Sequence, residues 1–172
     1  TFLIPRPLYY TGGFILMYST LFAGGRVDLL DDISSESVLK YIKKETTDWS
    51  FIVPSVIREM NANVNANGIK MSKNVLTMGS PIYYSEKKVF YEKFKCDLIE
   101  VWGNSEGLGT ITEPSDLFKH PYSIGRPFFT DFLDIETDCN KREGVLFGRC
   151  PDVRCHGHQA GGLKPGTEPG GD

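Results

Sequence analysis

The chain has 172 residues, of which 19 are Lys or Arg and 22 are Asp or Glu, so its formal net charge is −3. Hydrophobic residues make up 40% of the chain and charged residues 24%, proportions that argue against a disordered, collagen-like or coiled-coil protein. The near-neutral net charge does not indicate nucleic-acid binding, and no apolar run approaches the length of a membrane span. We therefore expect a globular protein with neither a nucleic-acid partner nor a membrane span.

The two ends of the sequence suggest a piece of a longer protein. The chain starts at Thr1 directly before apolar residues, without an initiator Met or a signal peptide, and residues 160–172 are mostly Gly, Pro and polar. Because no secretion signal is present, we expect the four cysteines to be free thiols and the protein to be cytoplasmic.

Strand-like and helix-like segments alternate through the first hundred residues. Short apolar runs predict strands at 2–4, 26–30, 49–53, 74–78 and 96–102. Apolar stripes and capping residues predict helices at 13–23, 34–45, 54–64 and 86–94. This order is typical of an α/β fold, a parallel sheet with helices on both faces.

Local signals define the ends of these helices. The first helix is expected to be buried and to stop at Gly24-Gly25. The second begins at Ser34 or Ser35 and buries Val38, Leu39, Tyr41 and Ile42. Pro54 fits the first turn of the third helix. Ser85 is predicted to cap the fourth, with Val89, Phe90 and Phe94 on its apolar side.

After Gly103 the pattern changes to strands, predicted at 128–137 and 144–149. We therefore predict an α/β nucleotide- and acyl-binding subdomain at 1–120, a small β-rich subdomain at 121–158 and an irregular tail at 159–172.

Three loops follow the carboxyl ends of predicted parallel strands, where ligands bind in such sheets. They cover residues 7–13, 78–81 and 102–107. In the third, the Trp102 ring can stack on a base, Gly103 permits close backbone approach, Ser105 can donate to a phosphate and Glu106 is a hard oxygen ligand for Mg²⁺. These features suit a nucleotide with its metal, although such a run is also common as an ordinary strand exit.

Seven short segments occur in a fixed order along residues 1–158. They are Pro-Leu-Tyr-Tyr-Thr-Gly-Gly at 7–13, Gly-Gly-Arg-Val at 24–27, Thr47 with Val-Pro-Ser at 53–55, Gly-Ser-Pro at 79–81, Trp-Gly-Asn-Ser-Glu at 102–106, Ser-Ile-Gly-Arg-Pro at 123–127 and Gly-Val-Leu-Phe-Gly-Arg-Cys-Pro at 144–151. In this order the chain resembles the central part of the large N-terminal domain of the adenylate-forming superfamily, which includes acyl-CoA synthetases, luciferases and peptide-synthetase adenylation domains.

The resemblance implies an acid–thiol ligase. A carboxylate would attack the α-phosphate of ATP to give an acyl-adenylate and pyrophosphate, and a thiol, usually that of coenzyme A, would take the acyl group. The implied cofactors are ATP, Mg²⁺ and coenzyme A, and the implied substrate is a small-molecule carboxylate.

The resemblance also assigns residues. The implied catalytic residues are Ser105 and Glu106, and Glu106 is the implied metal ligand. Tyr10, Met78 and Gly79 would contact the acyl substrate. The implied nucleotide-binding residues are Gly79, Ser80, Pro81, Trp102, Gly103, Asn104, Ser105 and Asp172.

The chain departs from the family pattern in several places. Trp102 replaces the usual Tyr, and Tyr10 stands where many members have His. The segment before Asp172, the counterpart of a ribose-binding Asp, is short and lacks the expected aromatic pattern. No phosphate loop ending in Lys and no small C-terminal domain with a catalytic Lys occur in these residues, so we expect the isolated segment to be inactive.

Three alternatives remain open. The chain could be a non-catalytic nucleotide or acyl binder of the same family. The thiol acceptor could be a carrier protein rather than coenzyme A. A Cys/His structural metal site is a third possibility, formed by Cys139, Cys150, Cys155, His156 and His158.

Overall fold

The computed structural model describes residues 1–5, 7–103 and 109–127 with their side chains, and residues 132–137, 144–150 and 153–155 as backbone strands. The strands are β1 (Phe2–Ile4), β2 (Val27–Leu29), β3 (Trp49–Phe51), β4 (Asn74–Thr77), β5 (Asp97–Gly103), β6 (Gly109–Ile111), β7 (Arg126–Pro127), β8 (Phe132–Thr137), β9 (Gly144–Cys150) and β10 (Val153–Cys155). The helices are α1 (Thr11–Phe22), α2 (Ser35–Lys44), α3 (Pro54–Ala62), α4 (Tyr84–Phe94) and α5 (Asp116–Lys119), and a 3-10 turn covers Val64–Ala66.

Seven strands form one sheet in the order β2-β1-β3-β4-β5-β6-β7. The five strands from β2 to β5 are parallel, whereas β6 and β7 run antiparallel to their neighbours. A second, three-stranded antiparallel sheet has the order β10-β9-β8.

Hydrophobic cores cover both faces of the larger sheet, because successive strand residues point to opposite sides. Leu3 and Val75 lie in a core with buried residues of α2, α3 and α4. Phe2 and Leu76, their neighbours along the strands, lie in a second core that Leu16 and Met17 of α1 cover. The predicted fold class, a parallel sheet with helices on both faces, is confirmed.

The starts of α2 and α3 agree with the local sequence. The hydroxyl of Ser34 accepts a hydrogen bond from the Ser37 backbone N–H at 3.3 Å, and therefore caps α2. Pro54 occupies the first turn of α3, where its missing N–H costs no helical hydrogen bond. None of the helices in the described part of the chain has the length and apolar character needed to cross a bilayer.

The expectation of a buried first helix is wrong. The helix begins at Thr11, two residues earlier than predicted, and Gly13 is its one buried residue. Phe14, Tyr18 and Phe22 are 51%, 62% and 87% exposed. The run is apolar on every side, so its periodicity cannot indicate which face packs against the sheet.

The predicted start of α4 is also wrong. The helix begins at Tyr84, so Ser85 lies inside it, and the Glu86 carboxylate accepts a hydrogen bond from the Tyr83 backbone N–H at 2.8 Å. Phe90 is buried as expected, whereas Val89 is 45% exposed.

The region after β5 contains elements that the sequence did not predict, namely β6, α5 and β7. Because β7 pairs with β6, residues 126–127 belong to the seven-stranded sheet. Gly125 has φ +95°, and a Cβ on it would overlap the Ile111 carbonyl, so only glycine fits there. Strands β8 and β9 agree with the predicted strands, and the subdomain boundaries stay predictions.

Lys93 of α4 closes the carboxyl end of α3. Its ammonium donates to the backbone carbonyls of Met60 at 3.0 Å, Asn61 at 3.0 Å and Asn63 at 2.6 Å. The last carbonyls of a helix have no partner within the helix, and a cation there also opposes the negative end of its dipole. One side chain therefore joins two of the three helices that cover this face.

Replacing Lys93 by Met should lower the free energy of unfolding by about 1–3 kcal/mol, because it removes a charged donor from three partly buried carbonyls. Urea denaturation measures this change. Lys88→Met on the same helix is the control, since Lys88 is about half exposed and reaches Glu92 only at 4.0 Å. Equal losses for the two variants would contradict the prediction.

Candidate functional site

The carboxyl ends of four parallel strands meet at one edge of the sheet. Leu3, Ser50, Val75 and Leu98 are paired in register across β1, β3, β4 and β5. Neighbouring strands are about 4.8 Å apart, so β1 and β5 are separated by roughly 14 Å at this edge. A small molecule can span that distance, and two of the predicted loops begin there, after β1 and β4, while the third begins within the last two residues of β5.

The turn after β4, residues 78–81, is the best-defined part of this edge, and we call it the β4 turn. Gly79 has φ +105°, a conformation that glycine adopts without strain, and Gly79, Ser80 and Pro81 are exposed. Met78 is half-buried and packs against the core beneath α1. The exposed backbone of this turn can approach a ligand closely.

The end of β5 lies beside the β4 turn. Thr77 pairs with Glu100, and Gly79 and Trp102 each follow this pair by two residues. Trp102 is half-buried and Gly103 is exposed, so part of the indole faces solvent. Gly103 also pairs with Gly109, so β5 ends and β6 begins at this edge.

The loop after β1 reaches the same place. Tyr10 immediately precedes α1, and its ring lies 4.5 Å from that of Tyr9. A Cβ on Gly12 would lie 2.8 Å from the Met78 sulfur, so the thioether rests directly against the first turn of α1. Two of the three predicted loops are therefore in contact.

Several predicted site residues lie outside the described residues. They are Asn104, Ser105, Glu106 and Asp172, so their roles stay predictions. The predicted Cys/His cluster also lies outside the residues whose side chains are described. Within the described residues, no group of three or more His, Cys, Asp or Glu is arranged to hold a metal ion.

The sequence did not single out Arg58, which contacts the β4 turn, or Glu86, which contacts the backbone of Tyr83 just after it. Arg58 of α3 donates to the Pro81 carbonyl at 2.7 Å and pairs with Glu86 of α4. A salt bridge between residues 28 positions apart leaves no local pattern, and helical spacing alone marks both as surface positions. Only the packing of α3 against α4 brings them together.

A cavity of about 250 Å³ lies elsewhere, between α2 and the chain that follows β2. Its lining includes Asp31, Asp32, Lys40 and Lys44, and none of the predicted site residues. Strand β2 is the outermost strand on one side of the sheet, four positions from β5 in the strand order. The lining of this cavity therefore shares no residue with the candidate site.

Cys96 is a free thiol at the start of β5, and it is only 3% exposed. Burial raises its pKa from 9.0 to about 12, because the thiolate would lose its hydration. A neutral, buried thiol is neither a nucleophile nor a metal ligand at neutral pH. The role of Cys96 is therefore to pack the core.

Comparisons with known proteins agree with this architecture. No family model and no curated protein matches the sequence. The amide bond synthetase McbA from Marinactinospora thermotolerans matches at 24% identity with a TM-score of 0.77, over 89% of this chain and 33% of that chain. The o-succinylbenzoate CoA synthetase MenE from Bacillus subtilis, solved with ATP and a magnesium ion, matches at 21% identity with a TM-score of 0.74. The match covers 89% of this chain and 33% of that chain.

A third match is VinN in complex with L-aspartate, at 16% identity and a TM-score of 0.73, over 90% of this chain and 40% of that chain. MenE has also been solved with its acyl-adenylate intermediate. The chain thus has the fold found in adenylate-forming ligases, and it spans a third to two fifths of the length of these three structures.

Cys96 should resist alkylation by iodoacetamide at about pH 8 in the folded chain and react after unfolding in guanidinium chloride. Peptide mass spectrometry reports the modified fraction. Between about pH 9 and pH 12 the unfolded thiol ionises while the buried one stays protonated, so Cys96 lowers the free energy of unfolding as pH rises. Alkylation of Cys96 in the folded chain at the rate of a free thiol would show that it is accessible.

Proposed function

We propose that the chain is part of an ATP-dependent ligase that activates a carboxylate as an acyl-adenylate and transfers the acyl group to a thiol. The observation that carries this proposal is the meeting of the β4 turn, the end of β5 and the first turn of α1 at one edge of the sheet. The shared fold with adenylate-forming ligases supports it. Ligand sites in open parallel sheets lie at such an edge.

The geometry suits a nucleotide lying between the β4 turn and Trp102. The partly exposed indole can stack on adenine, and base–aromatic stacking tolerates the change from the family's Tyr. Gly79, Ser80 and Pro81 offer exposed backbone to the nucleotide and to the acyl group.

The acyl group would lie between Met78 and Tyr10. The thioether against Gly12 makes a narrow apolar floor. Tyr9, whose ring contacts that of Tyr10, adds bulk beside it, which favours a small or flat acid over a long chain.

The reaction requires two anions, the carboxylate and the triphosphate, to be held together. We assign Ser105 to the α-phosphate and Glu106 to Mg²⁺, which would neutralise phosphate charge when bound. Arg58 and Lys87, which stand beside the β4 turn and β5, are each paired with a carboxylate. We therefore do not assign them to the phosphates.

The acyl-adenylate needs an acceptor for its acyl group. Coenzyme A is the expected thiol, and a carrier-protein thiol is the alternative. McbA is an amide bond synthetase, so an amine acceptor is a further outcome to test. A cytoplasmic location accords with the use of ATP and free thiols.

The full-length protein should catalyse carboxylate-dependent exchange of labelled pyrophosphate into ATP, and exchange should stop when EDTA removes Mg²⁺. Benzoate and acetate should support more exchange than palmitate. Residues 1–172 alone should give no exchange, because that segment lacks the phosphate loop ending in Lys and the small C-terminal domain with the catalytic Lys. Binding of ATP by the full-length protein without exchange for any acid would favour a non-catalytic binder.

Trp102→Ala should raise the KM for ATP about tenfold through loss of stacking, and Trp102→Phe should raise it less. Pyrophosphate exchange over a range of ATP concentrations measures both. Trp49→Phe is the matched control, because Trp49 is the first residue of β3 and lies at the amino-terminal ends of the parallel strands. An unchanged KM in Trp102→Ala would remove Trp102 from the nucleotide site.

A further inference from the structure

We propose that Arg58 and Glu86 are positioning residues that hold the β4 turn in its ligand-binding geometry. They act through the Pro81 carbonyl and the Tyr83 backbone N–H, without touching the substrates themselves. This inference rests on the proposed function, and it assigns a role to two residues that lie outside the motifs of the sequence.

A closed set of hydrogen bonds surrounds residues 81–86. Arg58 donates from Nη2 to the Pro81 carbonyl at 2.7 Å, and from Nε and Nη2 to the two Glu86 carboxylate oxygens at 2.5 and 3.3 Å. Glu86 Oε2 also accepts from the Tyr83 backbone N–H at 2.8 Å. The guanidinium and the carboxylate together hold the backbone at both ends of residues 81–83.

The guanidinium projects from a firmly anchored helix. Val56, Ile57 and Met60 of α3 are 5%, 0% and 0% exposed, so the backbone that carries Arg58 cannot shift without disturbing the core. The Arg58 and Glu86 side chains are themselves 41% and 21% exposed. A partly exposed ion pair contributes little to global stability, so its main effect is on local geometry.

The positive charge of Arg58 in this ion pair does not change with pH. The hydrogen bond to Glu86 raises the pKa of Arg58 further above its ordinary value, so the guanidinium is charged at every pH at which the protein is folded. Its fixed fork of donors can hold a carboxylate and a carbonyl at once, which a lysine ammonium does less well.

A second salt bridge holds α4 against β5. Lys87, the residue after Glu86, pairs with Glu100 at 2.5 Å, and its side chain is 11% exposed. Glu100 precedes Trp102 by two residues, and its backbone N–H donates to the Thr112 hydroxyl at 2.8 Å. Adjacent residues of α4 therefore hold the helix that follows the β4 turn to α3 and to β5.

Loss of the Arg58 bridge should move the turn more than it weakens the fold. A displacement of about 1 Å at a reacting centre can lower the rate by up to a hundredfold. We expect Arg58→Met in the full-length protein to lower kcat/KM for ATP by about tenfold or more in pyrophosphate exchange, mainly through a higher KM, with a small change in Tm.

Three further variants separate the contacts. Glu86→Gln keeps an oxygen for the Tyr83 N–H but loses the charge, so it should have a smaller effect than Arg58→Met. Arg58→Lys should fall between wild type and Arg58→Met. Because the two residues act as one unit, the double variant Arg58→Met with Glu86→Gln should be no worse than Arg58→Met alone.

Lys88→Met is the matched control, since it removes a positive charge next to Glu86 and Lys87 but has no hydrogen bond to the turn. It should leave the KM for ATP unchanged. A merely structural role for Arg58 predicts a lower Tm and a lower amount of active enzyme with an unchanged KM, and that result would overturn the proposal. If Arg58→Met fails to fold, Arg58→Lys and Glu86→Gln provide the same test.

The wild-type protein separates the two proposals. Absence of exchange in wild type for every acid tested would reject the proposed function and, with it, this inference. Normal exchange in wild type with an unchanged KM in all Arg58 and Glu86 variants would reject the positioning role alone.

Discussion

Parallel pairing of β1, β3, β4 and β5 is the constraint on which the rest of the structure depends. Parallel strands cannot be joined by a tight hairpin, so at least one helix lies between successive strands of this group. The crossovers cover both faces, and the common register brings the exits of the strands to one edge. The same pairing thus creates the two cores and gathers Tyr10, the β4 turn and Trp102.

The parallel arrangement ends at β5, because the next strand, β6, runs in the opposite direction. Strands β6 and β7 run antiparallel, and side chains add to the backbone pairing of β6 with β5 and with the segment that leads into β7. The Thr112 hydroxyl accepts from the Glu100 N–H, and Thr110 donates to the Ile124 carbonyl at 2.5 Å. In the Ser-Ile-Gly-Arg-Pro segment, one of the seven family-like motifs, the steric demand at Gly125 explains the glycine.

The sequence predicts the elements that leave a local or periodic signal. Helix α2 follows from the cap at Ser34 and its apolar stripe, and β1 to β5 follow from short apolar runs. Strand β7 has only two residues, too few for a periodic pattern, so it is missed. The Arg58–Glu86 contact depends on how α3 packs against α4, which no local rule supplies. The roles of Ser105 and Glu106 still rest on the resemblance.

The outer face of α1 has a practical consequence. Phe14 and Tyr18 stack at 5.9 Å between ring centroids and, with Phe22, present aromatic surface to water. Exposed apolar patches of this kind promote association between molecules. A shortened version of the protein that leaves this face bare will therefore tend to aggregate as its concentration rises, and detergent or a solubilising fusion will be needed to keep it monodisperse.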